Sequence, residues 1–141
     1  MSWKLSRTVL RGGTVGNDGS LLDHVNDDGT KQPFAIELSD QPVFGFAGLW
    51  DRSVTPEGAA IDSCTIITLP ASPLMAQIHN AKQRMPATLR PEDIETWLTG
   101  TADEAKSTLR QYPDELLHAW KVGARVNSPR NNGPELLEPL P

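Results

Sequence analysis
Thiols are almost absent from this chain: its 141 residues include one cysteine, Cys64. A single thiol cannot close an internal disulfide, so no disulfide framework holds the fold, and a reducing cytosol suits it best. Histidine is scarce too, with His24, His79 and His118 far apart and lacking the paired-ligand spacing of a metal site. No apolar run approaches the ~20 residues needed to span a bilayer. The N-terminal residues are polar and carry no apolar core of the kind a secretory signal needs. Gly12-Gly13 is not followed by the sequence of a phosphate-binding loop. These gaps exclude a disulfide scaffold, a helical membrane span and a nucleotide loop. They leave the expectation of a cytoplasmic protein without metal or cofactor.

What is present is ordinary for a globular domain, apart from 12 prolines and 11 glycines that call for many turns. The length fits one domain. A net charge of −5 argues against indiscriminate coating of nucleic acid. The charges are unevenly spread, however. Lys82, Arg84 and Arg90 lie in an acid-free stretch from His79 to Arg90, and Lys121, Arg125 and Arg130 in another from His118 to Asn131. Acids gather between Asp23 and Glu57 and between Glu92 and Glu104. The two basic stretches read either as solvated loop charge or as a local phosphate track.

Residues 1–20 show no hydrophobic period, and 1–27 reads as a poorly structured lead-in, with the folded part beginning at Asp28. A strand is expected over Pro33–Leu38 and another over Val43–Leu49, joined as a hairpin by Ser39-Asp40-Gln41. The β-branched run Cys64–Leu69 reads as a buried strand, with Cys64 an inert core residue. Ser72-Pro73 opens a helix that runs to about Asn80, serine capping and proline at the first helical position. Arg90-Pro91 opens a second helix with Ile94, Trp97 and Leu98 as its apolar stripe. Short helices are expected over Ala102–Gln111 and Pro113–Trp120, then a strand over Val122–Val126. Trp50, Trp97 and Trp120 read as core residues, with base stacking the other use open to them.

The order of short words along the chain carries the functional signal. Phe46-Ala47-Gly48-Leu49-Trp50 leads into Asp51, then Thr65-Ile66-Ile67-Thr68, then Met75 to His79, then Arg84-Met85-Pro86. Trp97-Leu98-Thr99-Gly100 and Val126 to Pro139 follow. On its own, Asp51 is also a turn residue after a strand, and His79 is also a histidine bonded to the last carbonyls of a helix. Taken together, the words resemble the SRAP family, the SOS-response-associated peptidases that process abasic sites in single-stranded DNA. The resemblance runs from about Asp28 to the C-terminus. It implies an α+β fold: a twisted, mostly antiparallel, partly barrel-like sheet with short peripheral helices.

The resemblance also implies the chemistry. In that family an N-terminal cysteine attacks the ring-opened aldehyde of an abasic site and closes to a thiazolidine, assisted by an acid and a histidine. By position these are Asp51, where the family has glutamate, and His79. Arg84 is implied to hold a phosphate beside the lesion and Thr68 to line the pocket; from the two basic stretches, Lys82 and Arg125 are expected as further DNA contacts. Four residues, Asn80 to Gln83, separate the histidine from Arg84, more than the family has. The family's Met-Cys-Gly-Arg opening and its Asn-Ala-Arg-x-Glu-Thr segment do not occur, and Ser2 follows Met1. The chain therefore reads as the C-terminal part of such a domain, self-associating through uncovered surface, with crosslinking impaired for want of the thiol. A non-enzymatic remnant that binds single-stranded DNA weakly is the alternative, and a small Asp51–His79 hydrolase ranks last.

Overall fold
The computed structural model describes residues 23–141. The lead-in expected over residues 1–27 lies outside the described residues as far as residue 22. Its last part is ordered, because Asp23–Val25 forms strand β1. β1 pairs antiparallel with β2, Lys31–Leu38. Gly29 supplies the positive φ that their connecting turn requires, and the Asp28 carboxylate accepts from the Thr30 amide and hydroxyl.

Six short strands follow in the middle of the chain: β3 (Gly45–Phe46), β4 (Gly48–Val54), β5 (Ala60–Ile66), β6 (Thr68–Pro70), β7 (Arg84–Pro86) and β8 (Thr88–Leu89). They are the halves of three longer segments, each broken at one residue: Ala47, Ile67 and Ala87. β3 pairs with β8, β4 with β5 and β6 with β7, all antiparallel. The three break residues close a ring of backbone hydrogen bonds. Ala47 N–H donates to the Ala87 carbonyl (2.7 Å), Ala87 N–H to Ile67 (2.9 Å) and Ile67 N–H to Ala47 (2.9 Å). Every segment thus leaves one partner and takes another at this point, which is how strands turn the corner between sheets. Three backbones converge here, and the two break residues that are fully buried, Ala47 and Ala87, carry only a methyl group.

Helix α1 spans Pro73–Ile78, α2 Ile94–Thr99 and α3 Ala102–Ser107. α2 places Trp97 against Ala47, Ala87, Leu89 and Ala105, and burying a tryptophan removes ~150–250 Å² from water. Strand β9, Leu117–Lys121, pairs with the other edge of β2. A second core under that sheet joins Leu38, Met75, Ile78, Met85 and Tyr112. The α+β class holds, since every strand pairing among the described residues is antiparallel and the helices are short.

Several element boundaries differ from the sequence reading. β2 and β3 form no hairpin: β2 takes β1 and β9, because Ser39 N–H is drawn to the Leu116 carbonyl and Gln41 to Tyr112. Pro113–Trp120 is not a helix but a 3₁₀ turn at Asp114–Leu116 running into β9. The open edge of β2 supplies five residues of ladder that outweigh a weak local helix preference. The strand expected over Val122–Val126 is a 3₁₀ turn, Ala124–Asn127. The run Cys64–Leu69 is not a buried strand. β5 is exposed from Ala60 to Thr65, and Cys64 is an exposed thiol rather than a core residue. Cys64 sits on the exposed two-stranded ribbon with β4, and only Ile67 and Leu69, past the end of β5, pack against the cores.

Candidate functional site
The ordered centre of the candidate site is built by α1 and the β6–β7 pair. Pro73 starts α1, and the Ser72 hydroxyl accepts from the Met75 amide at 3.4 Å. The Asp114 carboxylate accepts from the Leu74 amide at 2.9 Å, so a residue forty positions away completes the cap. Met75 and Ile78 anchor the helix in the core. The helix ends at His79, whose N–H donates to the Met75 carbonyl at 2.7 Å. The imidazole is buried, at 5% exposure, and its Nδ1 lies 3.0 Å from the Arg84 carbonyl oxygen. A carbonyl only accepts, so Nδ1 carries a proton, and in the neutral form of the ring the lone pair is then on Nε2.

Antiparallel register determines which side chains join it. Thr68 is opposite Pro86, Leu69 opposite Met85 and Pro70 opposite Arg84. Leu69 and Met85 turn into the core. By strand alternation Thr68 and Arg84 share the other face, and both are exposed. A hydroxyl, a guanidinium and an imidazole of known tautomer are therefore tied to one short ribbon. Lys82 is exposed in the turn that leads from His79 to this ribbon.

Asp51 stands elsewhere. It is exposed in β4, opposite Ser63 of β5, and its Oδ1 accepts from the Arg52 amide at 2.9 Å. Ser63 precedes Thr68 by five residues, a span of up to ~17 Å along extended chain. Asp51 and His79 share no hydrogen bond or ion pair among the described residues. Next to Asp51, Arg52 forks onto Asp62 at 2.6 and 2.8 Å, and that pairing raises the guanidinium's pKa further. Arg125 is also apart from the ribbon, in the 3₁₀ turn at Ala124–Asn127, where it lines a shallow cleft with Glu135 and Glu138. Among the described residues no group of three histidine, cysteine or acidic side chains could hold a metal ion. Nor is any helix long and apolar enough to cross a membrane.

Two residues of this site were not singled out in the sequence. The Asn80 carboxamide donates to the Val25 carbonyl and accepts from the Val25 amide, both at 2.9 Å, and so pins β1 to the end of α1. Gln83 forms the turn before Arg84. The unusual spacing between His79 and Arg84 was the signal for both. Of the tryptophans, Trp97 is core, whereas Trp120 is half-buried and donates from Nε1 to the Leu137 carbonyl at 2.8 Å.

Comparison with known proteins gives a consistent result. The sequence model of the SOS response associated peptidase (SRAP) family matches residues 24–129. Abasic site processing protein YoqW of Bacillus subtilis is 41% identical over 115 residues, covering 79% of this chain and 50% of that protein. Abasic site processing protein YoaM of the same organism is 36% identical over 115 residues, covering 79% of this chain and 49% of that protein. A crystal structure of a protein from Bacteroides thetaiotaomicron superposes with a TM-score of 0.73 at 26% identity, over 86% of this chain and 53% of that one. The chain thus spans about half the length of the curated relatives it matches.

Proposed function
Because this chain belongs to the SOS response-associated peptidase family, we propose that it serves abasic-site processing on single-stranded DNA. On this reading its residues supply the lesion-binding and proton-transfer side of the site. The observation that carries the proposal is the grouping of Thr68, His79 and Arg84 on and beside the β6–β7 ribbon.

Each group has a task that its geometry allows. The exposed Arg84 guanidinium pairs with a phosphate next to the lesion, which a planar fork does better than an ammonium. Lys82 extends the positive surface, and Thr68 offers a hydroxyl to the sugar. The abasic sugar is a hemiacetal. Nε2 of His79 takes the C1′ hydroxyl proton as the C1′–O4′ bond breaks, and a proton delivered to O4′ leaves an aldehyde and a free hydroxyl. The protonated imidazole returns that proton to O4′, since Asp51 stands on the separate β4–β5 ribbon with no hydrogen bond or ion pair to His79 among the described residues. Arg125 serves as a more distant phosphate contact, because Glu135 and Glu138 share its cleft.

Crosslinking needs a thiol to attack that aldehyde. Cys64 lies on the outer arm of β5 opposite Trp50, and the hydroxyl of Ser2 cannot close a thiazolidine. These 141 residues therefore bind and open the site without forming a stable adduct. The test is a labelled single strand with one abasic site, incubated with the chain and run on a denaturing gel. No heat-stable band is expected. A band that Cys64→Ala abolishes would reassign the nucleophile to Cys64. A second reading, sequence-independent binding without chemistry, is favoured by the two acid-free basic stretches. It wins if intact and abasic strands bind equally and His79→Ala leaves ring opening, read by aldehyde trapping, unchanged.

A further inference from the structure
Asn80 to Gln83 must turn the chain from the end of α1 back into β7. Gln83 does so at φ +48°, and among the described residues it is the one non-glycine with positive φ. A side-chain-bearing residue adopts this region at a cost, and such conformations persist where the surroundings impose them. Here both sides of the residue are held. Gln83 N–H donates to the His79 carbonyl at 2.8 Å, and the Gln83 carbonyl accepts from the Ala71 amide at 2.9 Å. The next carbonyl along, that of Arg84, is the one that meets His79 Nδ1 at 3.0 Å. The Gln83 side chain itself is exposed.

We propose that Gln83 is a positioning residue whose left-handed backbone aims the Arg84 carbonyl at His79 and thereby selects the imidazole tautomer. The inference rests on the proton-transfer role proposed above for His79, and it adds a determinant outside the matched family words. If Gln83 returns to an extended or right-handed conformation, the path from residue 79 to 84 changes and the Arg84 carbonyl leaves the ring. Nδ1 then loses its acceptor, and a free imidazole in water prefers its proton on Nε2. That tautomer places a donor, and no lone pair, on the nitrogen that would take the substrate proton. Arg84 is displaced by the same movement, so the phosphate contact and the base are set by one backbone angle.

The test reads the tautomer directly by long-range ¹H–¹⁵N correlation of the histidine rings in the full chain, with His79 assigned through His79→Gln. Wild type and Gln83→Gly should both show His79 protonated on Nδ1, because glycine accepts positive φ without penalty. Gln83→Val, β-branched and ill-suited to that region, should lose the Nδ1–H signature. His118 is the internal control: its Nδ1 meets Glu37 Oε1 at 3.0 Å across the β2–β9 pairing, and its signals should be unchanged in every variant. Gln83→Ala gives the same reading, as a partial loss, if Gln83→Val yields no folded protein. A folded Gln83→Val or Gln83→Ala with the His79 tautomer intact overturns the proposal, as does loss of the signature in Gln83→Gly. These outcomes are separate from the functional reading. If His79→Ala leaves abasic-site opening unchanged, the role of the imidazole fails while the tautomer result stands.

Discussion

Tyr112→Phe removes one oxygen from the core, and its effect can be worked out from three groups. The phenol accepts from Gln41 Nε2 at 2.6 Å and donates to Asp40 Oδ2 at 2.8 Å, tying the loop after β2 to the segment after α3. The two bonds differ in what their loss costs. Asp40 is exposed and is rehydrated when the hydroxyl goes, so its share is small. Gln41 is buried, at 9% exposure, and its amide is left without that acceptor, which costs ~1–3 kcal/mol. The buried donor dominates, and the expected loss is about 2 kcal/mol, or roughly 6–10 °C in Tm for a domain of this size. Asp40→Asn keeps an acceptor for the phenol and should cost under about 1 kcal/mol. The pH dependence has a definite sign. Burial, and then the Asp40 hydrogen bond, raise the Tyr112 pKa above the ordinary tyrosine range. The folded state thus holds this proton more tightly than the unfolded chain does. The contribution is complete below about pH 10 and is lost as pH rises through the raised value. Urea unfolding followed by circular dichroism at pH 7.5 and in steps above pH 9.5 reads both effects. A Tyr112→Phe protein within about 0.5 kcal/mol of wild type at neutral pH would refute the reasoning, as would an alkaline limb that the substitution leaves unchanged.

Other outcomes follow from the same structure. Arg84→Ala should weaken binding to single-stranded DNA and flatten the log–log salt slope by about 0.7, read by fluorescence anisotropy, while His79→Ala leaves the slope alone. Thr101→Ala removes a capping box in which the Glu104 amide meets the Thr101 hydroxyl at 3.3 Å, with an expected loss of ~1 kcal/mol by chemical denaturation. The Thr101 amide and hydroxyl hold the Glu104 carboxyl below its usual range, so that capping contribution is present at neutral pH and fades as pH falls through the lowered value. Ala87→Leu overfills the convergence of three backbones and should destabilise by ~1–3 kcal/mol in a thermal melt. The β4–β5 ribbon pairs only with itself among the described residues and exposes Val54 and Ile61 at 68% and 50%. Sedimentation velocity should therefore show concentration-dependent association that Ile61→Lys reduces.

Much of the site was legible because its cues are local or lie in word order. Ser72-Pro73 starts α1 by capping and by the fixed φ of proline, which depend on neighbouring atoms alone. Ile94, Trp97 and Leu98 declare a buried helix face through their spacing, and Trp97 is indeed core. The order of His79, Arg84 and Thr68 within matched words identified the family without any structural information. Where the sequence reading failed, the deciding partner was distant in the chain. Leu117–Lys121 is a strand because the edge of β2 is open beside it, and Cys64 is exposed because β5 follows β4 away from both cores rather than entering one. A run of apolar residues records preference for burial, but only the assembled strands decide which runs reach a core.

The same division holds at the level of chemistry. Through its resemblance to the family, the sequence pointed to an imidazole, a guanidinium and a hydroxyl as one set, and its histidines lack paired metal-ligand spacing. Tertiary structure decided that Thr68 and Arg84 share a face, because antiparallel pairing with alternating side chains converts register into sidedness. It decided that His79 carries its proton on Nδ1, through a carbonyl five residues away, and that Asp51 stands on a separate ribbon. Such features depend on distances between atoms that only folding brings together, and residue order does not encode them locally.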